Sequence, residues 1–317
     1  CVKRLVALFI LLFAFQVTAK AFPDKPVRIV VPLPPGGATD VMARLIAQKL
    51  GERWGQPVVL EHKPGGGTVI GTQAVAVAPP DGHTIGIVIS AHTINPSLRK
   101  DLPYDTLRDL APLTQIGNTV LALVAIPAFP ADDLRGLLAE AKKKPGELAY
   151  ASLGMGTATH LSGELLKIRG GVDLLHVPYP GSAPAYKDML GGRVPLGFVV
   201  LQSALPHVKA GRLKVIGITG AKRSAVYPEF PALAETLPGY VVESMFGLVA
   251  PGATPKDVVR RISADAGAVL RDPAMTARFT ELGIEIVASS PEEFGAFIRA
   301  EIEKWAPVVR ASGARAE

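Results

Sequence analysis

The sequence predicts an α/β protein of two lobes with a ligand cleft between them. Three observations lead there. Residues 27–50 read as strand, Gly-Gly turn and helix. The same order returns at 148–169, in the second half of the chain. Two long apolar stretches, 113–126 and 241–250, are placed to carry the chain from one lobe to the other and back. Alternating strands and helices favour a largely parallel sheet, and two passages between α/β lobes leave a cleft suited to a small ligand.

The first unit shows the local logic. Ile29, Val30 and Val31 form a short β-branched run, which favours a strand. Pro32, Pro34 and Pro35 end it, because proline cannot donate a ladder hydrogen bond. Gly36 and Gly37 allow a tight turn. Thr39 or Asp40 then offers a helix N-cap, and Val41, Met42, Leu45, Ile46 and Leu50 recur at helical spacing. A helix that starts directly after a glycine turn presents free N–H groups and the positive end of its dipole, which suits a carboxylate or phosphate. Taken alone, such a turn is an ordinary connector.

Further on, residues 57–60 read as a strand, 64–67 (PGGG) as a second glycine turn and 68–77 as a short helix. PPDG at 79–82 marks a turn. Residues 84–89 read as a buried strand, followed by a loop at 90–93 that holds His92. Residues 98–109 are polar and turn-rich. Residues 131–144 read as a helix stopped by Pro145-Gly146. A strand at 148–151, a glycine-rich loop at 152–157 and a helix from Ala158 to Arg169 repeat the first unit. Strands follow at 174–177, 194–201 and 213–219, with a helix at 183–190 closed by Gly191-Gly192. Thr254-Pro255 opens a helix running to Leu270, Asp272-Pro273 opens another, and SPEE at 290–293 opens a long amphipathic last helix.

Composition narrows the function. The chain has 317 residues, 48% hydrophobic and 20% charged, a globular balance. Aromatics make up only 6%, which offers no stacking platform for single-stranded nucleic acid. Residues 1–21 have the order of an export leader: Lys3-Arg4, an apolar run over 5–15, and Ala19-Lys20-Ala21 as a small-x-small cleavage site. Cleavage is expected after Ala21. Without Lys3, Arg4 and Lys20 the net charge falls from +6 to +3, which argues against a polyanionic partner. The single cysteine, Cys1, leaves with the leader, so disulfides and thiol chemistry are not expected.

Three loops that follow predicted strands are expected to face the cleft: 35–40, 90–93 and 152–160. Open α/β sheets bind ligands at the carboxyl ends of their strands. The 152–157 loop offers backbone N–H groups, the hydroxyls of Ser152 and Thr157, and a helix N-terminus close to His160. An isolated histidine at 92 or 160 serves structure as readily as binding. Enzyme signatures are absent: the chain has no Walker loop, no G-x-S-x-G and no histidine pair at metal-ligand spacing.

Read together, FPDKPVRIVVPLPPGGATDVMARLIAQKL, KPGGGTVIGTQAVA, PPDGHT, INPSL, ASLGMGTATHLSGELLK, HVPYPGSAPAYKDMLGG, SALPHVKAGRLKVIGITG and FGLVAPGATP resemble the Bug family of periplasmic solute receptors. These are the extracytoplasmic binding components of tripartite tricarboxylate transporters, and the resemblance runs from residue 22 to about 305. It implies a two-lobed, type II periplasmic-binding-protein fold, with residues 22–123 and 248–317 as one lobe and 124–247 as the other. It implies a periplasmic monomer that binds a small carboxylate (a di- or tricarboxylate, an acidic amino acid or an aromatic acid) and delivers it to membrane subunits. No catalysis, metal, cofactor or nucleic acid is implied.

The site implied by the resemblance has Gly36, Gly37, Ala38, Thr39 and Asp40 holding one ligand carboxylate. Ser152, Gly154 and Thr157 close the other side, partly through water, with His92, His160 and Tyr179 as further candidates. Four positions depart from the family pattern: His62, Pro180, Pro195 and Val199 stand where polar groups are usual. Two other roles fit the same cleft, a receptor feeding a membrane sensor and an exported enzyme.

Overall fold

Residues 22–314 are described by the computed structural model of the protein. The expected leader at 1–21 and its cleavage point lie outside them. Two sheets form. The first holds β1 (Val27–Val31), β2 (Val58–His62), β3 (Thr84–Ile89), β4 (Leu110–Thr119), β10 (Ser244–Pro251) and β11 (Ile284–Ile286), in the order β11-β4-β10-β3-β1-β2. The second holds β5 (Leu121–Ala125), β6 (Ala149–Ser152), β7 (Leu175–Pro178), β8 (Leu196–Val200) and β9 (Lys214–Ile218), in the order β7-β6-β8-β5-β9. β3, β1 and β2 are parallel neighbours, as are β7, β6 and β8. Their carboxyl ends are where the site is built.

The inner strands of each sheet are buried on both faces, which is why they read as continuous apolar runs rather than alternating ones. On one face of the first sheet, Met42, Ile46 and Leu50 of α1 (Ala38–Trp54) pack with Ile262 and Leu270 of α8 (Lys256–Leu270) and Phe279 of α9 (Pro273–Glu281). On the other face, Val30, Val88 and Val249 pack with Val75 of α2 (Val69–Ala76) and with Phe294 and Ile298 of α10 (Pro291–Ser312). The second sheet is covered by Leu161 and Leu165 of α5 (Ala158–Gly170) on one side and by Met189 of α6 (Ser182–Leu190) on the other. α3 (Ala91–Leu98) follows β3, α4 (Leu134–Lys143) precedes β6, and α7 (Leu201–Lys209) follows β8.

The chain passes from one sheet to the other at Val120, a single residue between β4 and β5. The stretch 241–250, expected to be the return passage, is mostly β10, antiparallel to β3 and β4 from Ser244 onward. The return lies earlier, over 219–243. It lies beside the first passage through Thr219 N–H donating to Leu121 O at 2.9 Å, and its ends are tied by Val242 N–H donating to Thr219 O at 2.8 Å and Thr219 Oγ1 donating to Val242 O at 2.7 Å. The apolar run misleads because a strand in the middle of a sheet is as hydrophobic as a buried linker. Residues 91–98, expected to begin as a loop, form α3 despite Pro96.

α10 ties the two halves together. Phe294 and Ile298 lie in the first sheet's cluster, whereas Trp305, Val308 and Val309, further along the same helix, lie in the second sheet's cluster. Trp305 is 1% exposed and its indole N–H donates to Glu301 Oε2 at 2.9 Å. Trp305→Ala is expected to lower stability by about 3–5 kcal/mol in urea unfolding. A loss below about 1 kcal/mol would show that the cluster collapses around the gap and that α10 does not clamp the second sheet.

Candidate functional site

Pro32 to Gly37 connect β1 to α1. Gly36 has φ +95°, in the left-handed region that favours glycine. Asp40, in the first turn of α1, is 4% exposed and turned back under this loop. Its Oδ2 accepts from Gly36 N–H at 2.9 Å and from Arg44 Nε at 3.1 Å, and its Oδ1 lies 2.8 Å from His62 Nε2. The Gly36 N–H, then Arg44 and His62, hold the Asp40 carboxyl below its ordinary range against the cost of burial. Asp40 is therefore a buckle for the loop, with both oxygens engaged by the protein itself. His62, one of the departures noted in the sequence, supplies one of those partners.

The buckle leaves the next donors open. Asp40 and Val41 N–H both bond to Gly37 O, and among the described residues Gly37, Ala38 and Thr39 N–H have no acceptor. Gly36, Gly37 and Ala38 are exposed, and a Cβ built on Gly37 would meet nothing within 4 Å. The neighbouring turn supports them from behind. Gly71 of α2 approaches so closely that a Cβ there would lie 2.9 Å from Pro32 Cα and from Lys63 O.

The second sheet repeats the device. The chain reads Gly36-Gly37-Ala38-Thr39-Asp40 in the first loop and Gly156-Thr157-Ala158-Thr159-His160 in the second. As Gly36 N–H donates to Asp40, so Gly156 N–H donates to His160 Nδ1 at 3.0 Å, again four residues on. Thr157 is the N-cap of α5. Its hydroxyl donates to Gly154 O at 2.7 Å, accepts from His160 N–H at 3.3 Å and lies 2.8 Å from Thr159 Oγ1. Leu153 N–H donates to Thr159 Oγ1 at 2.9 Å. Among the described residues, Met155, Ala158 and Thr159 N–H have no acceptor.

Behind this loop stands a polar column. His160 stacks on His176 with ring centroids 4.0 Å apart, and His176 stacks on Tyr150 at 5.0 Å. Tyr150 OH donates to Glu164 Oε1 at 2.9 Å. Because His160 Nδ1 accepts from Gly156, its proton sits on Nε2. Ser152 Oγ is 2.7 Å from His176 Nε2, the spacing of a nucleophile and its base, but Ser152 is fully buried and its hydroxyl also meets Gly154 N and O. The pair ties β6 to β7 and offers no hydroxyl to an incoming molecule.

The candidate residues therefore divide. Gly36, Gly37 and Ala38 are exposed at one loop. Asp40, Ser152, Thr157 and His160 are turned inward and shape the two loops. Gly154, at φ +123°, lies near Tyr179 O, and Tyr179 OH is directed away to Asp188 Oδ2 at 2.9 Å. Thr39 is buried. His92 is 1% exposed, on α3, with neither ring nitrogen hydrogen-bonded. Val199 is core, Pro180 is exposed, and Pro195 O accepts from Ile126 N–H at 3.0 Å. Sequence reasoning missed His176 and the loop-holding role of Asp40 and His160. The shared pattern Gly-x-Ala-Thr at 36–39 and 156–159 was the available signal.

Comparison with known proteins agrees with this architecture. The Tripartite tricarboxylate transporter family receptor profile matches residues 42–314. Protein BugT of Bordetella pertussis is 36% identical over 305 residues, covering 95% of this chain and 94% of its own. A structure of R. palustris Rpa4515 with adipate has a TM-score of 0.78 at 33% identity, covering 93% of this chain and 99% of that one. MatC (Rpa3494) from Rhodopseudomonas palustris with bound malate has a TM-score of 0.74 at 30% identity, covering 91% of this chain and 100% of that one. Fold and loops define a periplasmic solute-binding protein of two α/β lobes. The chain belongs to the tripartite tricarboxylate transporter receptor family.

The buried histidines make acid stability a measurable consequence. Burial lowers His92 to about 4. Burial and then the Lys167 ammonium lower His160 to about 4. Burial, the stacked His160 and Lys167 lower His176 to about 4 against the pull of Glu164. Each is neutral in the fold and takes up a proton on unfolding. Stability from these groups is thus complete above about pH 6.5 and is lost as pH falls toward about 4. Urea unfolding at stepped pH should show this loss within that window. A flat profile there would mean that the column is already protonated in the native state.

Proposed function

We propose that the protein is an exported receptor that captures a small carboxylate between its two lobes and delivers it to the membrane subunits of a tripartite tricarboxylate-type transporter. The observation that carries the reading is the row of exposed, unpaired N–H groups at Gly37 and Ala38, with Thr39 N–H behind them, at the start of α1. Backbone donors at a helix N-terminus stabilise an anion without any reactive side chain. The Asp40 carboxylate beneath them is already engaged by Gly36 N–H, Arg44 and His62. The second loop, with Met155, Ala158 and Thr159 N–H, is the counterpart that would meet the ligand on closure. The presence of adipate and malate in structures of two similar proteins supports the class of ligand.

The moving parts in this reading are the two sheets, hinged at Val120 and along 219–243, a closure of the hinge kind. Since β10 pairs in the first sheet from Ser244, the second boundary between lobes is drawn near 243 rather than 247. The leader at 1–21 supplies export, and binding requires neither metal nor cofactor.

A thermal-shift screen of the chain from residue 22 against mono-, di- and tricarboxylates should give a rise in melting temperature with at least one of them, since a ligand specific to the native state stabilises it. Gly37→Val places a branched side chain in the open space over the donors and should abolish that rise. Circular dichroism must first show the variant folded. Parental affinity in folded Gly37→Val would move the site elsewhere in the cleft.

A further inference from the structure

Arg99 is a partly buried cation with no carboxylate partner among the described residues, one residue after the point where the end of α3 meets the second lobe's loop. It follows α3 directly, its N–H bonded to Asn95 O at 2.9 Å. Leu98, one residue before it, reaches the second lobe's loop: a Cβ on Gly156 would lie 2.7 Å from Leu98 Cδ2. Arg99 itself lies along the first lobe's Gly66–Thr68 turn, where a Cβ on Gly67 would sit 3.6 Å from its Nη2. That turn is held to α3 by Asn95 Nδ2 donating to Gly67 O at 3.0 Å. It adjoins the Gly37 loop through Lys63 N–H, which bonds to Val31 O at 2.9 Å, and through the contact of Gly71 with Pro32.

The guanidinium has an unmet donor. Arg28, Arg44, Arg53, Arg193, Arg223 and Arg261 each pair with a carboxylate. Among the described residues Arg99, like several other arginines, has no such partner, and it is the one arginine there whose Nε is buried with no acceptor. Tyr104 OH and Thr72 Oγ1 are buried close by. Tyr104 lies beside Thr72 and Asn95 and within electrostatic reach of Arg99. A buried donor left unmade is costly, more so when charged, and an arginine fork matches a carboxylate.

We infer that Arg99 receives the second carboxylate of a dicarboxylate ligand whose first carboxylate sits on the N–H groups of Gly37 to Thr39. This rests on the carboxylate-receptor reading above and adds that the ligand carries two acidic groups. Arg99 is then a specificity-determining residue: it separates diacids from monoacids of the same length.

The test uses isothermal titration with malate, the straight-chain diacids from malonate to adipate, and the matching monoacids. The parental protein should bind at least one diacid better than its monoacid counterpart. Arg99→Gln, which keeps a polar side chain but removes the charge, should weaken that diacid about ten- to a hundredfold, the loss of a hydrogen bond to a charged group. The monoacid should bind as before. Arg99→Lys, with charge but no fork, should fall between. Native melting behaviour of the variants is checked first, and if Arg99→Gln does not fold, Arg99→Lys alone decides by its diacid-to-monoacid ratio. Parental diacid affinity in the substituted protein, or no diacid preference in the parent, would overturn the assignment. Gly37→Val separates the two levels. If it abolishes binding while the Arg99 variants bind as the parent does, the receptor reading stands and this inference fails. If Gly37→Val binds normally, the reading itself fails.

Discussion

The site depends on one hydrogen bond, from Gly36 N–H to the Asp40 carboxylate at 2.9 Å. It bends the β1–α1 loop back on the helix it starts, so that the following N–H groups project outward instead of closing on their own chain. The bond alone would set a negative charge beside the place proposed for an anionic ligand. Two like charges 4 Å apart repel by about 4 kcal/mol at an effective dielectric of about 20. Arg44, one helical turn on, sets an opposite charge beside Asp40, and His62, from the end of β2, bonds the other oxygen. The loop is thus held by an acid whose two oxygens are engaged within the protein, which in the proposed reading leaves the helix end open to a carboxylate. Arg44 is well exposed, so its share is partly screened by water; the backbone donor and His62 are the better-shielded partners.

The second lobe meets the same constraint with a neutral group. His160 accepts from Gly156 as Asp40 accepts from Gly36, and an imidazole brings no charge that needs cancelling. It must instead stay unprotonated, because a proton on Nδ1 would face the Gly156 N–H and end the bond. Burial, and then the nearby Lys167 ammonium, favour that state. The two loops are equivalent in backbone and differ in what secures them, so the lobes respond differently to acid. The first is secured by a group held ionised and the second by a group held neutral.

Much of this was legible in the sequence. β-branched runs, glycine turns and helical spacing are local signals, and the strand–turn–helix units at 27–50 and 148–169 follow from them. The loop at residues 36–38 was legible for the same reason. What was not legible depends on contacts between distant residues. Asp40 reads as a helix cap or a ligand group until His62 is seen beside it, 22 residues away. His176, in a short half-exposed strand, has no local pattern that sets it under Ser152. The hydroxyl of Thr157 reads as a ligand donor, yet its cap and its bonds to Gly154 and Thr159 engage it fully. Pro96 hid α3, and with it the place of Arg99 at its end.

The most direct measurement is a crystal structure of the protein with the carboxylate that raises its melting temperature most. A carboxylate oxygen is expected within about 3.2 Å of the backbone nitrogens of the Gly37–Thr39 segment, with Asp40 still bonded to Gly36 and making no contact with the ligand. A ligand bound elsewhere, or one that reaches this loop only by breaking the Asp40–Gly36 bond, would contradict it.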